Sequence, residues 1–509
     1  MSASATRAAR PARPAGAVHP GYRTLWRWHF YAGLFVMPFL IVLAITGTIY
    51  CFQPQIEPLL YPQRLVVEPM AVPRLPADAL LARARTAVPA GARAIRAHVD
   101  ANPARSAEFA FALPGGVKES VYVNPYTGAV LGTLDAERRF MQIDRMLHRK
   151  LLLGKTGELL MELAACWTLV MIATGVALWW PRAGASWRAA LTLPRPARRA
   201  PGGRLFWKRL HGVIGIWLAV GAFAFVVTGL PWTGSWGKQF KALATRANFG
   251  APAGSWGSDP SMKSIVPGGG AAIGTDEHAG HDMSSMPGMV MDDLPLPNVP
   301  WAVGAVPVPQ AADTAHPDHA DTPRWTLDQV MSQMRALGVP GGYDIALPVS
   351  STGVYTVSYF PADPRDERTV YIDQYNGSVL KDIRYENYGS VSQAISYGTS
   401  LHMGRYFGFL NQLICAAISM GLCALAVTGF VMWWQRRPAR VNGMADGLGA
   451  PARERAAPPM RAWKAGLVVL GIVFPLMGAT IVAVWLVDRF AAKRDAKKAA
   501  EQASKLSVS

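Results

Sequence analysis

One long apolar segment occurs twice in the sequence, and this repeat restricts the chain to a helical, membrane-spanning fold. The first copy covers 147–180 and the second 401–434, and the two align at a constant offset without a gap. Both open with Leu-His, continue through a glycine and a long apolar run to Thr-Gly, and end in Trp-Trp. About 20 apolar residues in a helix cross a bilayer, so each copy predicts a transmembrane span.

A second pair of segments shares a shorter pattern. Arg27-Trp28-His29 corresponds to Arg209-Leu210-His211, and Thr46-Gly47 corresponds to Thr228-Gly229. Four histidines therefore head four apolar segments. The order of span, outer segment and span occurs twice in the same direction, which predicts a parallel internal duplication with a pseudo-two-fold axis along the membrane normal.

The composition agrees with a membrane protein. Hydrophobic residues make up 51% of the chain and charged residues only 17%, below the value of about 25% that is usual in soluble proteins. We predict about five transmembrane helices, at 29–52, 147–180, 206–236, 401–434 and 463–487.

The distribution of charge predicts the orientation. The formal net charge is +18, but the basic residues are concentrated in short segments instead of on one face, which argues against nucleic acid as a partner. By the positive-inside rule these segments are cytoplasmic: 1–28, 181–205 and 435–462. The first span has no small-residue cleavage site, so we expect an uncleaved anchor with a cytoplasmic N-terminus, in a multi-pass membrane protein. After an odd number of spans the basic tail 488–509 would lie outside, against the same rule.

The two long outer segments, 53–146 and 237–400, predict two small extracytoplasmic α+β domains. The first has a helix at 78–88, with Asp78 as N-cap, and then alternating strand-like runs that end in Asn-Pro and Thr-Gly turns. The second repeats this order, with a helix at 326–337, a strand at 354–359 and a further strand-like run at 369–380. The Gly- and Pro-rich stretch 238–322 predicts a mobile insertion.

The cysteines predict no disulfide framework. Three of the four, Cys166, Cys415 and Cys423, lie within predicted spans, and Cys51 lies at the outer end of the first.

The repeated pattern, joined to Val-Tyr-Val-Asn-Pro-Tyr-Thr-Gly-x-Val at 121–130, resembles the PepSY-associated transmembrane family of iron-regulated bacterial inner-membrane proteins. The resemblance covers 25–182 and 205–436. Some members of this family are di-haem siderophore reductases. The resemblance therefore implies a b-type di-haem oxidoreductase that passes electrons to an extracytoplasmic metal acceptor, which we expect to be a ferric siderophore.

The four histidines are the predicted haem ligands. If the two halves are related by a pseudo-two-fold axis, His29 and His211 lie at one depth in the membrane, and His148 and His402 lie at another. Each pair can therefore present two imidazoles to one iron. The 17 residues from His29 to Thr46 cover roughly 25 Å of helix, which places one haem near each membrane face. The sequence contains no Cys-x-x-Cys-His, so the haem would be of the b type.

The surroundings of these histidines suit a haem. Four arginines could neutralise propionates: Arg27, Arg209, Arg149 and Arg405. Glycines in the spans could allow close helix packing, with or without a cofactor. No glycine-rich nucleotide motif lies between a strand and a helix, so the electron donor would be a membrane quinol or a cytoplasmic partner.

A second candidate metal site lies in the insertion 276–322. Its thioethers and imidazoles are soft or borderline ligands that suit copper: His278, His281, Met283, Met286, Met289 and Met291. The alternative is a linker that happens to be rich in methionine.

Three hypotheses follow. The first is the b-type di-haem reductase, with a cupric reductase or copper-handling protein as a variant. The second is a non-enzymatic membrane protein whose outer PepSY-like domains bind or regulate another exported protein. The third is metal transport, which ranks last because the spans contain few buried ionisable groups.

Overall fold

The computed structural model describes residues 21–181, 186–194, 203–252, 291–309, 323–350, 353–436, 459–487 and 489–490. The chain forms two compact units. The first contains 1–40, 163–223 and 421–509, and the second contains 41–162 and 224–420.

Fourteen helices are found in the described residues. In chain order they are α1 (Tyr22–Cys51), α2 (Gln53–Leu60), α3 (Pro62–Leu65), α4 (Ala77–Arg85), α5 (Phe140–Lys150), α6 (Gly154–Trp179), α7 (Trp187–Leu191), α8 (Arg204–Gly229), α9 (Trp236–Arg246), α10 (Leu327–Ala336), α11 (Ser390–His402), α12 (Gly408–Trp434), α13 (Arg461–Val473) and α14 (Pro475–Val487). Short 3₁₀ turns occur at Leu230–Trp232, Met291–Asp293, Pro364–Asp366 and Tyr385–Asn387.

Four of the described helices are long and apolar enough to cross a membrane: α1, α6, α8 and α12. The predicted spans at 147–180 and 401–434 are each divided, because a short helix precedes the long one. The predicted fifth span, 463–487, consists of two helices of 13 residues that are separated at Phe474. The count of five is therefore not confirmed, and the internal duplication stays a prediction.

The outer segments differ from the prediction in one important respect. Their strands form a single antiparallel sheet of eight strands, in the order β4-β3-β2-β1-β5-β6-β7-β8, in place of two separate domains. The strands are β1 (Arg93–Val99), β2 (Ala107–Ala112), β3 (Lys118–Val123), β4 (Val130–Asp135), β5 (Asp344–Ala346), β6 (Val354–Tyr359), β7 (Arg368–Asp373) and β8 (Val379–Arg384). The first strands of the two halves pair, with Arg96 opposite Ala346 and His98 opposite Asp344. Pairing these two strands removes one exposed edge from each half.

The helices α4 and α10 lie on one apolar core beneath this sheet, and they cap each other. The Asp78 carboxylate accepts hydrogen bonds from the backbone N–H groups of Leu327 and Asp328 at 3.0 and 2.9 Å. The Asp328 carboxylate accepts from those of Ala77 and Asp78 at 2.7 and 3.1 Å. The prediction of Asp78 as the N-cap of its own helix was wrong, since Pro76 occupies that position.

The opposite face of the sheet differs between its halves. In the first half, Arg96 forms buried ion pairs with Glu108 at 2.5 Å and Asp344 at 2.7 Å. In the second half, residues 291–308 pack over the sheet in an apolar cluster with Tyr371 and Tyr388. This part of the insertion, which was predicted to be mobile, therefore contributes to the core of the second unit.

Candidate cofactor-binding sites

The structure distributes the four histidines as two pairs, one in each unit. His29 on α1 and His211 on α8 belong to the first unit, and His148 on α5 and His402 on α11 belong to the second. All four side chains are half-buried. His148 and His402 lie near or at the ends of short helices that precede the long ones, so they are outside the spanning helices themselves.

Each histidine makes the same hydrogen bond. Its Nδ1 atom contacts the hydroxyl of a threonine from a Thr-Gly pair on a neighbouring helix. The distances are 3.0 Å for His29 and Thr174, 2.9 Å for His148 and Thr46, 2.8 Å for His211 and Thr428, and 2.8 Å for His402 and Thr228.

These contacts fix the tautomer of each imidazole. A hydroxyl has one proton to donate, and each of these threonines donates it to a carbonyl of its own helix. The acceptors are Val42 at 2.6 Å, Val170 at 2.6 Å, Ala224 at 2.7 Å and Leu425 at 3.1 Å. The threonine oxygen must then accept from Nδ1–H, so the lone pair of each ring is on Nε2.

The glycine that follows each threonine leaves room for the ring. A Cβ at Gly47 or Gly175 would lie 3.2 Å from the Cε1 atom of His148 or His29, respectively. At Gly229 and Gly429 the corresponding distance is 3.6 Å. The repetition of the Thr-Gly pair in this chain thus has a local explanation: the threonine orients the imidazole and the glycine leaves room for its edge.

Within each unit the two imidazoles approach one another. The ring centroids of His29 and His211 are 6.2 Å apart, with planes inclined by 85°. In the second unit, burial, the imidazole of His402 and the charge of Arg149 lower the pKa of His148 to about 3. Burial lowers the pKa of His402 to about 4, so both rings are neutral at pH 7, the form that binds metal ions.

Tight turns place the histidines of the second unit. Positive φ angles occur at Leu151 and Leu152 after α5 and at Gly154, the first residue of α6. They occur again at Gly404 after α11 and at Gly408, the first residue of α12. At the turn between α11 and α12, side chains donate hydrogen bonds to the carbonyls at the end of α11. Asn411 and Cys415 donate to the carbonyl of Leu401 at 3.0 and 3.4 Å, and Cys51 donates to that of His402 at 3.6 Å.

The four predicted arginines have contacts of their own within their units. Arg405 donates to the carbonyl of Phe360 and stacks over its ring at 4.7 Å. Arg149 and Arg209 donate to backbone carbonyls at 3.4 and 3.3 Å, and Arg27 lies over the ring of Tyr31 at 5.6 Å. A guanidinium has five N–H donors, so one backbone contact leaves Arg149, Arg209 and Arg405 able to bind an anion as well.

The Met/His-rich site falls almost wholly outside the described residues. His278, His281, Met283, Met286 and Met289 are not described. Met291 is described, and its side chain is completely buried in the apolar cluster that covers the sheet. Its thioether is better explained as part of that core than as a metal ligand.

The threonines were not predicted from the sequence as partners of the histidines. The signal was present, since each Thr-Gly occurs at one of two fixed distances after a histidine. The spacing could not show that each histidine bonds to the threonine of a different helix. His29 on α1 bonds to Thr174 on α6, and His148, which precedes α6, bonds to Thr46 on α1.

Long apolar helices, a separate antiparallel sheet and two histidine pairs define a multi-pass membrane protein with an extended extramembrane domain. The PepSY-associated TM region family matches residues 26–436. The match covers most of the 509 residues, and the chain belongs to this family. A comparison with curated proteins gives no match.

Proposed function

We propose that the protein is a b-type di-haem oxidoreductase of the bacterial inner membrane that passes electrons to an extracytoplasmic ferric siderophore. The observation that carries the proposal is the set of four imidazoles whose Nδ1 atoms are engaged by threonine. This arrangement leaves four Nε2 lone pairs, two in each unit, and a pair of neutral imidazoles is a common axial ligand set for haem iron.

The spacing of the first pair fits that ligand set. Two imidazoles that both bind one metal ion through bonds of about 2.0 Å would have ring centres up to roughly 6.4 Å apart. The ring centres of His29 and His211 are 6.2 Å apart.

The residues of the chain would have separate tasks at such a site. The histidines would bind the iron, and the threonines would hold the rings in one tautomer, as partners of metal-bound histidines commonly do. Apolar helix surfaces exclude water, and Arg27, Arg209, Arg149 and Arg405 balance the charge of propionates. Haem itself would supply the one-electron redox chemistry at each site.

The chemistry of iron supports a siderophore as the acceptor. Hard oxygen ligands hold Fe(III) much more tightly than Fe(II), so one electron is enough to loosen the metal from its chelator. The donor would be a membrane quinol or a cytoplasmic protein.

The proposal is tested by mixing the dithionite-reduced protein with a ferric siderophore in a stopped-flow instrument. We expect reoxidation of the haem Soret band with appearance of a Fe(II) complex of ferrozine. The gallium complex of the same siderophore is the control, because Ga(III) has the same charge and a similar size but accepts no electron. Equal rates with both complexes, or reoxidation by Cu(II) chelates alone, would reject the ferric assignment.

A further inference from the structure

The last described segment of the chain is sharply bent. α13 ends at Val473, Phe474 has a non-helical conformation with φ −119° and ψ 87°, and α14 begins at Pro475. A proline disfavours the helical conformation of the residue before it but is well tolerated in the first turn of a helix. The break is therefore encoded locally.

Two glycines show how far the chain turns. Residues seven apart in a straight helix are separated by about 10.5 Å. A Cβ at Gly478 would instead lie only 2.5 Å from the carbonyl oxygen of Gly471 and 3.1 Å from its Cα. The two backbones are in contact, which requires a bend of about a right angle or more between α13 and α14.

Contacts with the rest of the first unit support this bend. The indole of Trp463 on α13 lies 6.0 Å from that of Trp28, which stacks at 6.0 Å on Trp167. The Nε1 atom of Trp167 donates to the hydroxyl of Thr480 on α14 at 3.0 Å. Both arms thus contact the same pair of stacked indoles, and Met477, just after the bend, is fully buried.

Neither arm can cross a membrane alone. Thirteen residues form a helix of about 20 Å, whereas the hydrocarbon core is about 30 Å thick. The arms are nevertheless apolar on their exposed sides, with Val468, Ile472, Val482 and Val487 facing outward. Such surfaces belong in hydrocarbon.

Both ends of the segment carry groups that prefer the membrane–water interface. Arg461 and Lys464 lie in the first turns of α13, and Arg489 lies over the indole of Trp485, 5.2 Å from its centre, at the end of α14. Charged residues are costly at the bilayer centre, while Trp, Lys and Arg are enriched at its surface.

We infer that 461–487 is a re-entrant helical hairpin with both ends at the cytoplasmic surface. The hairpin removes the conflict in the sequence-based topology. With four crossings in place of five, the segment that carries Lys493, Arg494, Lys497 and Lys498 obeys the positive-inside rule.

Reporter fusions to the full-length protein test the topology without reference to haem. Green fluorescent protein folds in the bacterial cytoplasm, and alkaline phosphatase is active only outside it. We expect a fusion after Ser509 to fluoresce and the phosphatase fusion at the same point to be inactive. An active phosphatase at this point would overturn the hairpin.

The glycine contact is tested by Gly478→Leu, with Gly466→Leu as a matched control. A Cβ at Gly466 meets no atom within 4 Å, so this variant should keep the wild-type reporter pattern. Gly478→Leu forces the arms apart and should expose part of the C-terminal reporters to the outside. Identical reporter activities in the two variants would show that the glycine contact does not hold the hairpin.

Discussion

Replacing Thr174 by valine should weaken one cofactor site and leave the other unchanged. Valine has nearly the shape of threonine but cannot accept the hydrogen bond from His29 Nδ1, which is 3.0 Å long. Leaving a buried N–H group without a partner costs about 1–3 kcal/mol. Loss of a partner that orients a metal-bound histidine typically weakens metal affinity by about 10- to 100-fold, which corresponds to the same range of free energy.

Transfer of haem to excess apomyoglobin measures this effect through the change in the Soret band. We expect the wild-type protein to lose haem in two phases, one for each site, and Thr174→Val to accelerate one of them by about 10- to 100-fold. Thr174→Ser, which keeps the hydroxyl, should restore the wild-type rate. Thr46→Val should accelerate the other phase instead.

Matched controls separate this effect from general loosening of the helices. Thr168 lies on the same helix as Thr174 and donates to the carbonyl of Ala164 at 2.8 Å. Thr48 is the equivalent control for Thr46, with a bond of 2.7 Å to the carbonyl of Ala44. If Thr168→Val accelerates haem loss as much as Thr174→Val does, the proposed role of the threonine is refuted.

Three further predictions concern other contacts. Gly175→Ala places a Cβ 3.2 Å from the ring of His29, whereas the Cβ of Gly33→Ala meets no atom within 4 Å. Only Gly175→Ala should therefore lower the haem content of the purified protein. Equal haem content in the two variants would contradict the close fit between Gly175 and the ring. Asp78→Ala removes the acceptor for two N–H groups of α10 and should lower the free energy of unfolding by about 1–2 kcal/mol. Circular dichroism in detergent should then show a lower thermal midpoint for the sheet. An unchanged midpoint would show that the reciprocal caps do not contribute to stability. Burial raises the pKa of Glu367 to about 7. Between about pH 4.5 and 7 the folded protein therefore binds a proton at Glu367 that the unfolded chain has lost. The protein should lose up to about 3 kcal/mol of stability as the pH rises through this window. Glu367→Gln should abolish that loss, and a midpoint that falls equally in both proteins between pH 5 and 8 would contradict it.

The apolar helices and most strands could be predicted from the sequence because they depend on local patterns. The predicted strand at 354–359 coincides with β6, and the predicted helix at 326–337 differs from α10 by one residue at each end. The lengths of α1, α6, α8 and α12 follow from uninterrupted apolar runs. Such patterns are short-range, so one sequence suffices to find them.

The pairing of distant elements was not accessible in this way. Nothing in 94–99 indicates that this strand would pair with Asp344–Ala346 and join the two predicted domains into one sheet. The bend at Phe474 had a local signal, Phe-Pro between two glycines, but the apolar run around it is long enough to be read as one span. The histidines were found by their repeat, whereas their threonine partners depend on which helices are neighbours.

The cofactor content of the purified protein tests the central claim most directly. We expect two b-type haems per chain by pyridine haemochrome, with low-spin electron paramagnetic resonance signals typical of two axial imidazoles. His29→Ala with His211→Ala should remove one of them, and His148→Ala with His402→Ala should remove the other. A protein that contains no haem after expression with excess haem, or that keeps both haems in either double variant, would contradict the account.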